Sequence, residues 1–152
     1  MKKFLALSLV FIICLAMLSS CGDFKELYND VSAKGEESLA MVQEFVSEFF
    51  IENYDGATSK AHPSSIINKE NLEKMRSDVI AAYNLTNIDS STPISFTKFA
   101  LDSTPIMNEN GKLVHTQHTV IFKVEIGGVT MTAYSIVLQD DLGFGIYTFR
   151  IN

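Results

Sequence analysis

His115 and His118 form an H-x-x-H pair, the spacing in this 152-residue chain that comes nearest to a metal- or proton-handling motif. The pair sits in LVHTQHTVIFKVEI, where apolar residues alternate and a strand is expected. Strand side chains alternate with a period of two, so the two imidazoles point to opposite faces and cannot hold one metal. His62 lies far upstream. No HExxH, Gly-rich phosphate loop or CxxC is present. His118 falls on the apolar face, where Val137 and Tyr147 are expected as neighbours. A His and a Tyr at one end of a concave apolar face suit a ligand pocket or an acid–base pair. The competing reading is a core-rim histidine bonded to Tyr or backbone. It is favoured because no inward carboxylate is available to orient the ring. Tyr54-Asp55-Gly56 could bring a carboxylate to the mouth of such a pocket, although Asp there more often caps the next helix. Asp140-Asp141 read as turn residues, and their surroundings offer too few oxygen ligands for calcium. No metal and no cofactor are expected.

The elements that must position these residues fall in a simple order. Glu36 to Asn53 carries Leu39, Val42, Phe45, Val46, Phe49 and Phe50, which at helical spacing fall within an arc of about 140°. This predicts one long helix, ended by Asp55-Gly56. A short helix is expected over Ala57 to His62, stopped by Pro63. Asn68 then caps a helix over about Lys69 to Asn84, with Leu72, Met75, Val79, Ala82 and Tyr83 as its stripe. Leu85 to Pro93 reads as a loop. Ile94 to about Ile106 reads as an edge strand, with Pro105 near its end. Asn108 to Gly111 is a turn.

In the second strand Val114, Thr116, His118, Val120, Phe122, Val124 and Ile126 share the inner face. Gly127-Gly128 signals a tight hairpin that pairs Ile126 with Val129. Val129, Met131, Ala133, Ser135 and Val137 then continue that face. Asp140 to Gly143 fits a type I turn closed by a glycine bulge, which pairs Asp140 with Phe144. Gly145, Tyr147, Phe149 and Ile151 would then face inward. The same register puts Ile121, Tyr134, Ile136, Leu138 and Ile146 on the outer face, a sizeable apolar patch for a wet surface. A homodimer or another protein partner could cover it, and so could the N-terminal segment.

The first twenty residues differ from the rest. Lys2 and Lys3 precede about fifteen nearly unbroken apolar residues, Phe4 to Leu18, a length that suits a signal peptide better than a span of about 20. Leu18-Ser19-Ser20-Cys21 resembles the bacterial lipobox: an aliphatic residue, two small ones, then Cys. By that resemblance residues 1–20 are a leader and Cys21 is the lipid attachment point, with enough acyl chains for stable anchoring. The protein is then held on the extracytoplasmic side of a bacterial membrane, in the cell envelope. Cys14 leaves with the leader, so neither cysteine is open to disulfide or thiolate chemistry. Residues 21–35 are a tether or a short amphipathic helix of Phe24, Leu27, Tyr28 and Val31 ending near Gly35.

The twelve Lys and Arg less Lys2 and Lys3 leave ten against eighteen acids, a net charge of −8 from Cys21 onward. No basic cluster stands out, so nucleic acid is not an expected partner. Residues 36–152 form one domain, long enough to bury a core without disulfides.

Helices followed by an antiparallel meander read as an α+β domain: N-terminal helices packed on a curved four-stranded antiparallel sheet. The helix MVQEFVSEFFIENYDGATSKAH, the helix NKENLEKMRSDVIAAYN and the four-strand finish together resemble lipoproteins of the nuclear-transport-factor-two-like, or cystatin-like, superfamily, which includes SnoaL-like enzymes. The resemblance spans about Glu36 to Asn152 and implies a cone-like fold whose open end often holds a ligand. It implies no single activity, since members of that superfamily catalyse, bind or dock. The leading expectation is a non-enzymatic, lipid-anchored domain that binds a protein partner or small ligand. The alternatives are a SnoaL-like enzyme with His118 and Tyr147 in acid–base roles, and a self-associating module using the outer sheet face.

Overall fold

The computed structural model describes residues 30–152. The leader, Cys21 and most of the 21–35 segment lie outside them. The order is three helices, α1 over residues 30–50, α2 Tyr54–Ser59 and α3 Lys69–Tyr83, then strands β1 Ile94–Met107, β2 Leu113–Ile126, β3 Val129–Asp140 and β4 Gly143–Ile151. The fold is α+β, with the strands antiparallel and in the order β1-β2-β3-β4. Among the described residues no helix is long and apolar enough to cross a membrane.

α1 forms because its apolar residues share one stripe, and that stripe is the core. Val42, Phe45, Val46, Phe49 and Phe50 are fully buried. The Phe45 and Phe49 rings meet the Phe149 ring edge-on at 4.8 and 5.6 Å between centroids, a favoured aromatic geometry. From the sheet Val120, Phe122, Val124, Ile126, Ala133 and Val137 complete the same core. α3 adds Leu72 and Val79.

Both ends of α1 and of α2 differ from expectation. α1 is already helical at residue 30 and runs straight through Gly35, so residues 30–35 belong to it rather than to a separate short helix. Gly35 is tolerated inside the helix for a packing reason. A Cβ there would meet Ser103 Oγ at 2.8 Å, so glycine lets the helix approach the sheet closely. At its other end α1 stops at residue 50, before Asp55-Gly56. Glu52 takes the left-handed conformation with φ 65°, and Asn53 caps α2 by accepting from Gly56 N–H. Asp55 therefore sits in the first turn of α2 and is not its cap, and α2 starts earlier than Ala57. For α3 the expected cap is observed: Asn68 accepts from Asn71 N–H at 2.9 Å.

The Gly127-Gly128 hairpin pairs Ile126 with Val129, both glycines having positive φ. The last hairpin differs. Asp140 pairs with Gly143 rather than Phe144, so the loop has two residues. The extra residue comes later. Val137 pairs with Ile146 and Ile136 with Thr148, which leaves Tyr147 as a bulge inside β4.

Candidate functional site

That bulge reverses the first half of β4 and dismantles the expected His118–Tyr147 pocket. Ile146, expected outside, is fully buried on the inner face. Tyr147, expected inside, is 42% exposed. Past the bulge the expected order returns, with Phe149 inward at 6% exposure. The cause is long-range. Ala61 forms a parallel bridge with Ile146 along the free edge of β4. His62 N–H donates to Ile146 O and Ile146 N–H donates to Lys60 O, both at 2.8 Å. This edge pairing holds Ile146 in place, and local alternation cannot reveal it.

His118 is inward, as expected, and wholly buried. It pairs with Ser103 on β1 and Val137 on β3. Its Nδ1 lies 2.8 Å from Ser103 Oγ, and the edge of its ring faces Phe144 at 6.2 Å. Above it pass Lys34 and Gly35 of α1; the Lys34 ammonium sits 4.8 Å from the Phe144 ring centre and pairs with Glu37. Among the described residues Nε2 is buried without a hydrogen-bond partner. Burial holds the imidazole below its ordinary pKa, and the Lys34 charge adds to that. Asp30, the nearby Gln139 side chain and Glu37 pull the other way without reversing it.

The Ser103–His118 distance would suit a nucleophile and its base. The ring, however, is wholly buried, and among the described residues no carboxylate bonds its second nitrogen. The geometry is that of a core histidine that seats α1 on the sheet.

A titration prediction follows from this. Folding favours neutral His118, so the unfolded chain binds more protons as the pH falls. The histidine's contribution should be complete above about pH 6.5, the ordinary imidazole value, and be lost as the pH falls toward the lowered folded value. Urea denaturation between mildly alkaline and mildly acidic pH should show this slope in the wild type and its loss in His118→Leu. A slope of equal size in the variant would rule out His118 as its source.

The structure brings together a constellation that sequence reasoning missed. His62 is buried, and its Nε2 lies 3.1 Å from Asp140 Oδ1. Its Nδ1 accepts from Ser64 N–H at 3.2 Å. The proton therefore belongs on Nε2, donated to the carboxylate. Asp140 Oδ1 also accepts from the N–H groups of Leu142 and Gly143, at 2.8 and 3.2 Å. Burial pushes the Asp140 carboxyl up, but the bonds from Leu142, His62 and Gly143 outweigh it and hold the group below the usual range. Any loss of stability from protonating Asp140 thus lies below about pH 4, apart from the His118 window. Both ring nitrogens of His62 are engaged, so the pair is a clamp. It ties the α2–α3 connection to the β3–β4 turn. The Tyr147 ring lies against it, 6.4 Å from the His62 ring centre. The signal available in sequence was His62-Pro63-Ser64 beside an Asp-Asp turn, but nothing local links segments 78 residues apart.

Ser64 and Tyr147, which touch His62, also line a groove. Between α3 and β4 lies a cavity of about 450 Å³, lined by Ser64, Ile66, Leu72, Met75, Tyr147 and Phe149 among others. A second hollow of about 430 Å³ adjoins it along α3, sharing Asn71 and Met75 and reaching Val79, Tyr83 and Ile151. The lining is mainly apolar with a few polar groups, as ligand clefts are. Ile66 stands 83% exposed at the lip.

The remaining candidates scatter. Tyr54 is half-buried among Arg76, Glu52 and Glu73; burial raises its phenol, with Arg76 opposing and the two glutamates adding. Asp55 is exposed. The charges around Tyr54 are not those around His118, so these residues form no common site. On the outer face Ile121 pairs with Tyr134, while Ile136 lies between Thr119 and Thr148, and Leu138 between Gln117 and Gly145. All four are half-buried. Arg150 stacks on the Tyr134 ring at 4.4 Å. With Ile146 inside, this patch is smaller and more interrupted than expected. Among the described residues no group of three or more metal-binding side chains occurs. No family model matches the chain, and no curated protein matches it.

Proposed function

We propose that the protein is a lipid-anchored domain on the extracytoplasmic side of a bacterial membrane, binding a protein partner or a small apolar ligand in the groove between α3 and β4. The anchoring half rests on the sequence: the apolar leader and Leu18-Ser19-Ser20-Cys21. The binding half rests on one observation, the open apolar groove bordered by Ile66 and Tyr147. The α+β order also fits a cone-like, cystatin-like relationship, which remains part of this reading. An enzyme of the SnoaL-like type has less support, because His118 is sealed and His62 has both nitrogens engaged. Self-association through the outer sheet has less support with Ile146 inside.

Site-specific photo-cross-linking in the native envelope tests this. A photoreactive residue at Ile66 of the full chain should give a discrete adduct, and one at Lys123 on the outer face should not. Adducts at Lys123 alone would move the contact to the outer sheet and overturn the groove reading. No adduct at Ile66, with no small molecule extracted from the purified protein, would overturn it as well.

A further inference from the structure

The β1–β2 hairpin projects past the rest of the sheet. Thr116 pairs with Gln139 near the end of β3, and the two strands continue beyond that point to the turn at residues 108–112. From Thr116 to Leu113 the strand advances roughly 10 Å. This overhang carries Ile106, Met107, Leu113 and Val114, exposed by 37, 42, 38 and 49%. Val114 was expected inward, but Ile106 pairs with His115 and Met107 with Leu113, which leaves Val114 unpaired. Leu142, 65% exposed, lies in the β3–β4 turn at the same end of the sheet.

The direction of α1 shows what this end faces. Gly35 lies over Ser103 and His118. Later in α1, Phe50 O accepts from Arg76, which also reaches Ile88 O; Ile88 in turn lies beside Gly127 at the opposite end. Followed backward, α1 therefore leads toward the overhang. Eight residues lie between Cys21 and Asp30, a span of at most about 30 Å. A lipid on Cys21 is therefore held within that reach of Asp30, and that end of α1 is the one nearer the hairpin.

Charge agrees. From Cys21 onward the chain has a net −8, yet residues 104–115 hold one acid, Glu109, and one base, Lys112. An anionic surface repels most of this protein but not its hairpin. Asp140 at the margin is turned into its own hydrogen bonds, and only the exposed Asp141 stands beside Leu142. The turn also satisfies itself. Asn108 Oδ1 accepts from Asn110 and Lys112 N–H, Asn108 N–H donates to Lys112 O, and Gly111 N–H donates to Asn108 O. Backbone groups so paired cost little to move toward lipid.

We infer that the apolar flank of the β1–β2 hairpin is a second membrane contact, seated in the headgroup region of the bilayer that holds the Cys21 lipid. It rests on the anchoring reading given above. Two contacts would fix the orientation of the domain at the surface, where a lipid tether alone would let it swing.

The chain has no Trp, so single tryptophans report cleanly. Full-length lipidated Leu113→Trp would be reconstituted in phosphatidylethanolamine–phosphatidylglycerol vesicles brominated just below the headgroups. It should lose about half its emission, since interfacial segments sit about 5–10 Å into the headgroup–acyl boundary. Thr130→Trp, exposed beside the Gly127-Gly128 turn, should be almost unquenched. Equal quenching at both positions, or none at Leu113→Trp in a protein that carries lipid by mass and floats with the vesicles, overturns the hairpin contact and leaves the anchor standing. Shielding of Leu113→Trp from iodide without bromine quenching points to a protein on this surface and overturns it too. A chain with no lipid on Cys21 overturns the anchoring reading and this inference together.

Discussion

Gly145→Ala is expected to lower stability by about 3–5 kcal/mol, from overpacking of roughly 1–3 and two backbone hydrogen bonds of about 1 each. A Cβ at Gly145 would lie 2.7 Å from His62 N and 2.9 Å from both Ala61 C and His62 Cα. These are backbone atoms, so no side chain can swing away. The 60–62 segment would have to leave the edge of β4 and give up its bonds with Ile146. Gly128→Ala is the control. Nothing lies within 4 Å of a Cβ there, and its φ of 78° makes strain the only cost, roughly 1–2 kcal/mol. Urea denaturation of both variants should show Gly145→Ala clearly the worse. Equal losses would mean that the close approach of the two backbones matters little. The same collision would loosen Ser64 and Ile66, so ligand binding in the groove should weaken along with stability.

This glycine also marks where sequence reasoning reached its limit. The alternation of β2 placed Val120, Phe122, Val124 and His118 inside because one face of that strand meets the core and the other solvent, and neighbours on both edges keep it regular, a local rule. The stripe of α1 was legible for the same reason. In β4 one irregularity was expected and assigned to the turn; it lies instead at Tyr147, where an edge pairing with Ala61 sets the register. Phe149 and Ile151 were placed correctly because one extra residue anywhere between Asp140 and Thr148 restores the same phase. Phe144, Gly145, Ile146 and Tyr147 lie between the expected and actual positions of that residue, so these four were reversed. The His62–Asp140 clamp was hidden for a related reason: each partner looks like an ordinary loop residue until the fold brings them together. Likewise Asp55-Gly56 predicts the stop of α1, but the stop is Glu52, a residue type that rarely adopts φ of 65° unless something distant holds it there.

That distant group is Arg76, and Arg76→Ala should cost about 2–4 kcal/mol. The guanidinium is nearly buried, its side chain only 11% exposed. Nε donates to Phe50 O at 2.9 Å, one of the last α1 carbonyls, which have no partner within their own helix. A terminal nitrogen reaches Ile88 O at 3.4 Å, and the other pairs with Glu52 at 2.7 Å. Truncation would strand the Phe50 carbonyl and free the loop before β1. The ion pair itself should matter less, because Glu52 is 59% exposed and well screened. The expected order of losses is therefore Arg76→Ala, then Arg76→Lys, then Glu52→Ala at no more than about 1 kcal/mol. Lysine can neutralise Glu52 but cannot fork to two carbonyls. If the pair dominated instead, Glu52→Ala would match Arg76→Ala and both losses would shrink in high salt. Arg76 lies on α3, one wall of the groove, and ties that helix to α1. Arg76→Ala should therefore also weaken an Ile66 cross-link under conditions where the protein is still folded, whereas Glu52→Ala should leave it intact.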